Sequence, residues 1–376
     1  LPHHFNRLRV DLAALGHNFR QIKRLVGPEV KIMAVIKADA YGHGLIPAAE
    51  VLVREGADGL GVMDLDEAVR LREAAITRPI YLLAGFEPGH CPEIIDLDLI
   101  PFVFDLGLAG ELNDQARTRN RKVKVQLKLD TGMNRLGVRH DRAEDFLHRI
   151  KQFEHLAVTG LATHFSDADL KDSEFLQIQL GRFERLIEAV QGLGYDEPLL
   201  NNAANSAAVM SLPRAHYAMV RPGLMLYGAY PAEHFREKVE LKPVMSLVSR
   251  VVQVKTIPAG SGVSYGRTWI APQETVLAVV PVGYTHGYSR LLSNRGFGLI
   301  RGRPAPVRGR VCMNMTLFDV TGIPGASPGD EVVLLGAQGG GIMSAQDLAE
   351  AIGTISYEVL CMLGGLNHRE YLNNGG

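Results

Sequence analysis

Val30-Lys31-Ile32-Met33-Ala34-Val35-Ile36 runs into Lys37-Ala38-Asp39-Ala40-Tyr41-Gly42-His43-Gly44, and the reading of this stretch decides the fold. An apolar, largely β-branched run of this length reads as a strand buried on both faces, as in a parallel sheet. Gly42 and Gly44 then allow a sharp turn into the next element. Lys37 ends the strand, where its ammonium is poorly solvated. Desolvation lowers a lysine pKa and frees the amine as a nucleophile or base, as Schiff-base chemistry with an aldehyde cofactor such as pyridoxal phosphate (PLP) requires. The plainer reading, a lysine snorkelling to water, suits most lysines so placed when each is taken alone.

Outward from this stretch, strand-like and helix-like runs alternate. The run ending at Lys37 precedes helix-like Leu45–Glu55, and Gly59–Met63 precedes Leu65–Ala74, whose acidic start suits a helix N-terminus. Further strands are expected at Pro79–Gly85, Leu99–Phe104, Lys122–Leu129, Leu156–Phe165, Leu199–Ala203 and Met219–Tyr227, with helices near Arg142–Gln152, Ser173–Gln191 and from Ser206. Eight strands, most followed by a helix, indicate an α/β fold: an N-terminal (β/α)8 TIM-type barrel, favoured over a doubly wound sheet.

In a barrel the strand C-termini form the active face. Polar residues fall at those ends: Lys128 to Arg135, His164, Asn205-Ser206 and Arg221-Pro222-Gly223-Leu224. Singly, each has an ordinary explanation: a surface ion pair for Arg135, a core histidine for His164, a helix cap for Asn205-Ser206, a turn for Arg221. Four such places on one rim favour a site. A helix starting at Ser206 offers free N–H groups and a hydroxyl, and the Gly223 and Leu224 amides could donate to the same anion. No nucleotide-type phosphate loop occurs at the required place.

Length and composition agree. A chain of 376 residues favours two domains, and 40 basic against 41 acidic side chains favour neither nucleic acid nor an anionic membrane. No apolar stretch is long enough to span a bilayer, and Leu1 to Val10 lacks a signal-peptide layout, so a cytoplasmic location is expected. Cys91, Cys312 and Cys361 are scattered, fit a reducing compartment and show no metal-ligand spacing.

The character changes after Pro231. Val244–Ile257, Thr275–Val282, Gly298–Val307, Val311–Val320 and Glu331–Leu335 are short β-type runs split by Gly and Pro, with a helix at Ser344–Ile352 capped by Ser344. Ile355–Leu363 is a final strand or helix. The expected division is a barrel over residues 1–232 and a mainly-β domain over 233–376. Ser264-Tyr265-Gly266-Arg267, Gly283-Tyr284-Thr285-His286-Gly287-Tyr288 and Cys312-Met313-Asn314-Met315 stand out in the second domain, although a tyrosine or a Cys-Met pair there is ordinarily packing.

Val35-Ile36-Lys37-Ala38-Asp39-Ala40-Tyr41-Gly42-His43-Gly44 closely resembles the cofactor-lysine motif of the alanine racemases, barrel-type PLP enzymes, and the likeness covers nearly the whole barrel. The resemblance implies that Lys37 holds PLP covalently. Tyr41, Ser206, Gly223, Leu224 and Tyr357 would hold its phosphate, with Asn205 nearby and Leu83 and His164 also in the cofactor site. Arg221 would face the pyridine nitrogen; an arginine cannot readily supply a proton, so the ring is a weaker electron sink and side reactions are limited. Arg135 would meet the substrate carboxylate, oriented by a carbamate on Lys128. Racemisation needs two bases on opposite faces of one Cα. Lys37 is one, and Tyr265 matches the family's second, activated through His164 and Arg221 and reaching the partner subunit's Lys37. A homodimer with shared sites is implied. Met313 would offer a backbone N–H to the substrate carboxylate, and Tyr284 would line the entrance.

Three departures stand out: His286 where many members have an acid, Asn314 where aspartate is common, and Met315 where glutamine is frequent. They bear on substrate access and rate. The implied activity is interconversion of L- and D-alanine, with D-alanine supplied to bacterial peptidoglycan. The rivals are a racemase of broader specificity, acting on serine or lysine, and a non-catalytic PLP-carrier barrel; Tyr265 and the β domain speak against the carrier.

Overall fold

The computed structural model describes residues 4–194 and 199–372, so Leu1–His3, at the head of the stretch read against a signal peptide, lie outside the described residues. The chain divides into two compact units. One comprises Leu15–Ala40 and Leu45–Leu241; the other takes the N-terminal segment up to Ala14, Tyr41–Gly44 and the segment from Lys242 onward.

Strand β1 (Arg7–Asp11) heads the chain, and the barrel unit follows with β2 (Lys31–Val35), β3 (Gly59–Val62), β4 (Ile80–Leu82), β5 (Leu99–Val103), β6 (Val123–Asp130), β7 (Val138–Arg139), β8 (Leu156–Ala162) and β9 (Met219–Val220). Pairing is parallel from β2 through β6 to β8, and β9 returns onto β2 with Lys31 opposite Met219. The two-residue β7 only pairs in parallel with the last two residues of β6, Val138 opposite Leu129. β3, β4 and β5 are buried along their whole length, as expected of strands covered on both faces. Helices Leu65–Glu73, Leu106–Thr118 and Glu174–Gln191 begin where Asp64, Asp105 and Ser173 accept a backbone N–H of the first turn. Met33, Tyr81, Ile100, Phe102, Ala162 and Met219 pack together as one buried cluster.

The seventh barrel position differs from the strand expected at Leu199–Ala203. One residue, Asn202, bridges Ala162 on one side and Met219 on the other, and this closes the ring. Beside it the Leu161 N–H is taken by the Asn201 side-chain oxygen at 3.0 Å, so a side chain replaces part of the backbone ladder. The result is a (β/α)8 barrel with one strand shortened to a bridge.

The chain start also differs in its company. β1 pairs antiparallel with Met245–Arg250 and parallel with Arg369–Leu372, both in the second unit. Its burial alternates, Leu8 and Val10 inward, which suits a half-covered sheet and not a barrel strand buried on both faces. That unit holds a seven-stranded sheet and a three-stranded one. The run Gly298–Val307 is a hairpin, Phe297–Ile300 against Arg303–Pro306, turning through Arg301 and Gly302 at φ 52° and 75°. Of Val311–Val320 only Thr316–Asp319 is strand; the preceding residues form a loop closed by Cys312 N–H donating to Met315 O at 2.9 Å. Ser344 caps helix Ala345–Ile352 with Asp347 reciprocating, and the final segment is helix Ser356–Leu366. Among the described residues no single helix is long and apolar enough to cross a membrane.

Behind Lys37 the backbone departs from a simple glycine turn. Ala38, Asp39, Ala40 and Tyr41 all lie at φ between 53° and 57°, a left-handed turn made of four non-glycine residues. Each costs about 1–2 kcal/mol relative to right-handed geometry, so the surroundings must enforce the turn. Glu67, 8% exposed, does much of this: its carboxylate accepts from Asp39 N–H and Met63 N–H, both at 2.9 Å. Asp39 in turn accepts from Leu45 N–H at 2.8 Å. Glu67→Ala should therefore destabilise the protein by about 2–4 kcal/mol, since two charge-assisted bonds are lost and two amides are left unsatisfied. Glu67→Gln, able to accept through one oxygen only, should fall between; thermal melts of the two variants check the order.

Candidate active site

Lys37 stands half-buried at the start of the left-handed turn, two residues beyond the end of β2. β6, β8 and β9 bring Lys128, His164 and Arg221 to the same end of the barrel. Arg221 is buried at 6% exposure, and burial lowers its pKa to about 10, which leaves it cationic at neutral pH. Its guanidinium donates to Asn202 Oδ1 and to the carbonyls of Thr163 and Ala203, and faces His164 Nδ1 at 3.4 Å. Guanidinium nitrogens only donate, so Nδ1 is the accepting nitrogen of His164. Burial, then the charges of Arg221, Lys128, Arg135 and Lys37, hold the His164 pKa well below the ordinary imidazole value. His164 is therefore neutral at pH 7.

Lys128 is buried at 7% exposure. Burial first, then the Arg221 charge, push its amine well below the ordinary 10.5, against a smaller opposing pull from Asp130. A neutral amine is the form that reacts with carbon dioxide. It also carries a stability consequence. The unfolded chain protonates Lys128 below pH 10.5 while the folded chain resists it, so folding is penalised as the pH falls beneath that value. In carbon-dioxide-free buffer, Lys128→Met should raise the apoprotein melting temperature at pH 7, and the gain should shrink near pH 10. Melts at the two pH values check this.

Around the rim, Ser206 Oγ accepts from Gly223 N–H at 2.9 Å and Met225 N–H at 3.3 Å. This ties the loop after β9 to the short helix Ser206–Ser211, whose cap is Asn205 accepting from Ala208 N–H. The Gly223 amide thus meets the Ser206 hydroxyl, and that hydroxyl keeps its own hydrogen to donate. Leu224 is buried, and Leu83 packs against the barrel cluster. Arg135 is exposed, but its charge bears on both Lys128 and His164.

The remaining sequence-predicted residues lie in the other unit. Tyr41 and Tyr357 face each other with ring centroids 5.9 Å apart. Burial, then Tyr357 and Cys361, raise the Tyr41 pKa, so its phenol keeps its proton as a donor. Tyr265 is 70% exposed and follows Ser264 at φ 62°, a backbone geometry that side chains other than glycine rarely adopt. Ser264 Oγ donates to Arg310 O at 2.7 Å and so braces that turn. The Tyr284 and Met313 segments lie together: Tyr284 N–H donates to Cys312 O, and Thr285 N–H to Met313 O, each at 3.2 Å. A Cβ on Gly283 would sit 2.1 Å from Cys312 O, so only glycine permits this approach. Two departures keep a polar function: His286 Nδ1 accepts from Gly283 N–H at 3.2 Å, and Asn314 donates to Thr285 Oγ1 at 2.8 Å. Met315 is half-exposed and gains no such partner role.

Sequence reasoning assigned no role to Glu67, Gln126 and Asn202. A glutamate opening a helix and a glutamine inside a strand carry no local signal of what they bind across the barrel. The donor set at the rim fits PLP on chemical grounds: Lys37 offers the amine, Arg135 and Arg221 bear on His164 as guanidinium cations, and the buried Asp130 carboxylate acts on Lys128. Two guanidiniums and a lysine amine at one end of a barrel suit a dianionic phosphate and an anionic substrate.

Fold and rim together define a class: a parallel barrel that carries a lysine at a strand end and is followed by a β domain. The family profile described as alanine racemase, N-terminal domain, matches residues 10–231, and that for the C-terminal domain matches 244–371. An alanine racemase of Halothermothrix orenii is 42% identical over 98% of this chain and 97% of its own length. The structure of the enzyme from Streptomyces lavendulae superposes with a TM-score of 0.93 at 34% identity, covering 100% of this chain and 98% of that one. The Bartonella henselae structure, described as holding covalently bound pyridoxal phosphate, gives a TM-score of 0.89 at 25% identity over 98% of this chain and 100% of that one. This chain belongs to the alanine racemase family.

Proposed function

We propose that this protein interconverts L- and D-alanine with PLP held on Lys37, in a homodimer whose subunits share their sites. The observation that carries the reading is a buried Arg221 guanidinium facing the neutral His164 ring at 3.4 Å at the end of the barrel, with Lys37 just beyond the end of β2. Bound there, PLP supplies the electron sink that makes the substrate Cα–H acidic. The Lys37 amine fixes the cofactor and moves the proton on the D face. The Tyr265 phenol of the partner moves it on the L face, and its exposure supports a role outside its own unit. Arg221 keeps the ring nitrogen without a proton, because a guanidinium does not give one up at neutral pH. Tyr41, Tyr357, Ser206 and the Leu224 amide hold the phosphate, joined by the Gly223 amide as its N–H turns from Ser206 Oγ to the anion, with Asn205 capping the helix beside it and Leu83 against the ring. Arg135 and the Met313 N–H bind the carboxylate, Tyr284 lines the entrance, and a carbamate on Lys128 orients Arg135. The protein works in the cytoplasm, and its D-alanine feeds peptidoglycan synthesis.

The test is incubation of the PLP-loaded protein with L-alanine in deuterated water. Cα deuterium in both enantiomers supports the assignment. Cofactor bound at Lys37 without exchange would favour the carrier barrel, and equal exchange of serine or lysine the broader racemase. A peptide map showing Lys128 as a free amine would end the carbamate.

A further inference from the structure

The guanidinium of Arg221 is held from behind by a chain of neutral side chains inside the barrel. Arg221 donates to Asn202 Oδ1; Asn202 Nδ2 donates to Gln126 Oε1 at 2.9 Å; Gln126 Nε2 donates to Thr159 Oγ1 at 3.2 Å; and Thr159 Oγ1 donates to Val125 O at 3.0 Å. The order of donors has no freedom in it. Arginine offers only N–H groups, so Asn202 must turn its oxygen to Arg221 and its NH2 to Gln126. Gln126 must then present its oxygen to Asn202 and its NH2 to Thr159. Asn202 and Gln126 are both fully buried at 0% exposure, which leaves no water to satisfy a flipped amide. Space is equally constrained: a Cβ on Gly160 would lie 2.8 Å from Gln126 Nε2 and 2.4 Å from Leu200 O.

We propose that Asn202 and Gln126 are positioning residues for the racemase reaction, an amide relay that aims Arg221 at the cofactor ring while adding no charge beside it. The proposal rests on the PLP reading above. Carbonyls, an amide oxygen and a neutral imidazole nitrogen are the acceptors around Arg221. A carboxylate in the place of Asn202 would hold the guanidinium as firmly, but it would cancel the positive field that the ring nitrogen meets. The amide separates orientation from charge, and Gln126 Oε1 and Leu200 O, 2.9 and 2.8 Å from Asn202 Nδ2, together keep that amide from turning over.

The test compares Gln126→Leu, which removes the side-chain acceptor of Asn202 and leaves it only Leu200 O, with Gln126→Glu, which restores an acceptor at the same place but with a negative charge. Both are loaded with PLP, borohydride-reduced in part to confirm attachment at Lys37, and followed by the pH titration of the cofactor's visible band, visible circular dichroism and steady-state rates. Gln126→Leu should keep the cofactor on Lys37, shift the band's titration midpoint and lower kcat by roughly tenfold to a hundredfold, as expected when a reacting group is mis-aimed by a fraction of an ångström. KM should stay within about twofold, since no substrate contact is removed. Gln126→Glu restores the acceptor but brings a carboxylate into the buried relay, so PLP should still attach to Lys37 while kcat stays below wild type. Thr159→Val, a near-isosteric change at the end of the relay, should shift the band in the same direction by less and serves if Gln126→Leu does not fold. A wild-type titration midpoint and kcat in either informative variant would overturn the relay. A wild-type protein that takes up no PLP at Lys37 would sink both this inference and the reading beneath it, and is recognised without any variant.

Discussion

Tyr265→Ala should lower L-to-D racemisation by about 10²- to 10⁴-fold, the range for a lost general base, while PLP still attaches to Lys37. The change should not touch the fold. Tyr265 is 70% exposed, so its ring adds little to the core of its own unit, and the turn that carries it is held by Ser264 and Gly309, not by the phenol. A Cβ on Gly309 would lie 2.6 Å from Val263 O, which shows how closely the two segments behind the tyrosine are pressed together. The variant separates the two faces of Cα. With D-alanine in deuterated water, Lys37 should still exchange the α-hydrogen, and the label should stay in D-alanine. With L-alanine, exchange should collapse. Full turnover from both enantiomers would end the assignment of Tyr265 as the second base. Tyr265→Phe, which keeps the ring and removes only the hydroxyl, should lose nearly as much.

Gly364→Ala should destabilise the protein by about 1–3 kcal/mol or more through overpacking, and weaken PLP binding in step. The added Cβ would stand 2.1 Å from Gly42 O and 2.4 Å from Gly42 Cα. These are backbone atoms and have no rotamer with which to yield. Gly42 cannot retreat either, because it is held at φ 80° with its own missing Cβ position 2.7 Å from Leu360 O. Helix Ser356–Leu366 must therefore shift, and it carries Tyr357 against Tyr41. Both phenols are assigned to the phosphate, so stability and cofactor affinity should fall together. Gly365→Ala is the control: nothing lies within 4 Å of its Cβ position, and alanine favours a helix over glycine, so it should be neutral or slightly stabilising. Thermal melts and a PLP titration of both variants check the contrast. A Gly364→Ala protein that matches the Gly365→Ala protein in both would refute the close-packing account.

Much of the barrel was legible from periodicity. Helix Leu45–Glu55 has the expected bounds, and the starts of the helices after Asp64 and Ser173 follow from local capping chemistry. Of the rim, Lys128, His164 and Arg221 were legible as polar residues at strand ends, where side chains from separate strands must converge. Asn202 shows the limit. It sits in a stretch that reads as a strand, yet neighbours at Ala162 and Met219 reduce it to one bridge, and its side chain serves Arg221. The left-handed turn behind Lys37 was equally hidden, for alanine and tyrosine do not ask for positive φ and one aspartate among them does not specify four such residues in a row.

By itself the order of residues determined the alternating cadence of a barrel, the lysine delivered at a strand end, and a second domain of short β runs. These are properties of intervals of a few residues, and side-chain period and cap chemistry act over that range. Only the tertiary structure decided that β1 joins the far sheet, that Glu67 enforces the left-handed turn, and that Gln126 and Asn202 hold Arg221 from behind. Each of these depends on a hydrogen bond between groups distant in the chain, and no local preference encodes which buried donor will meet which acceptor.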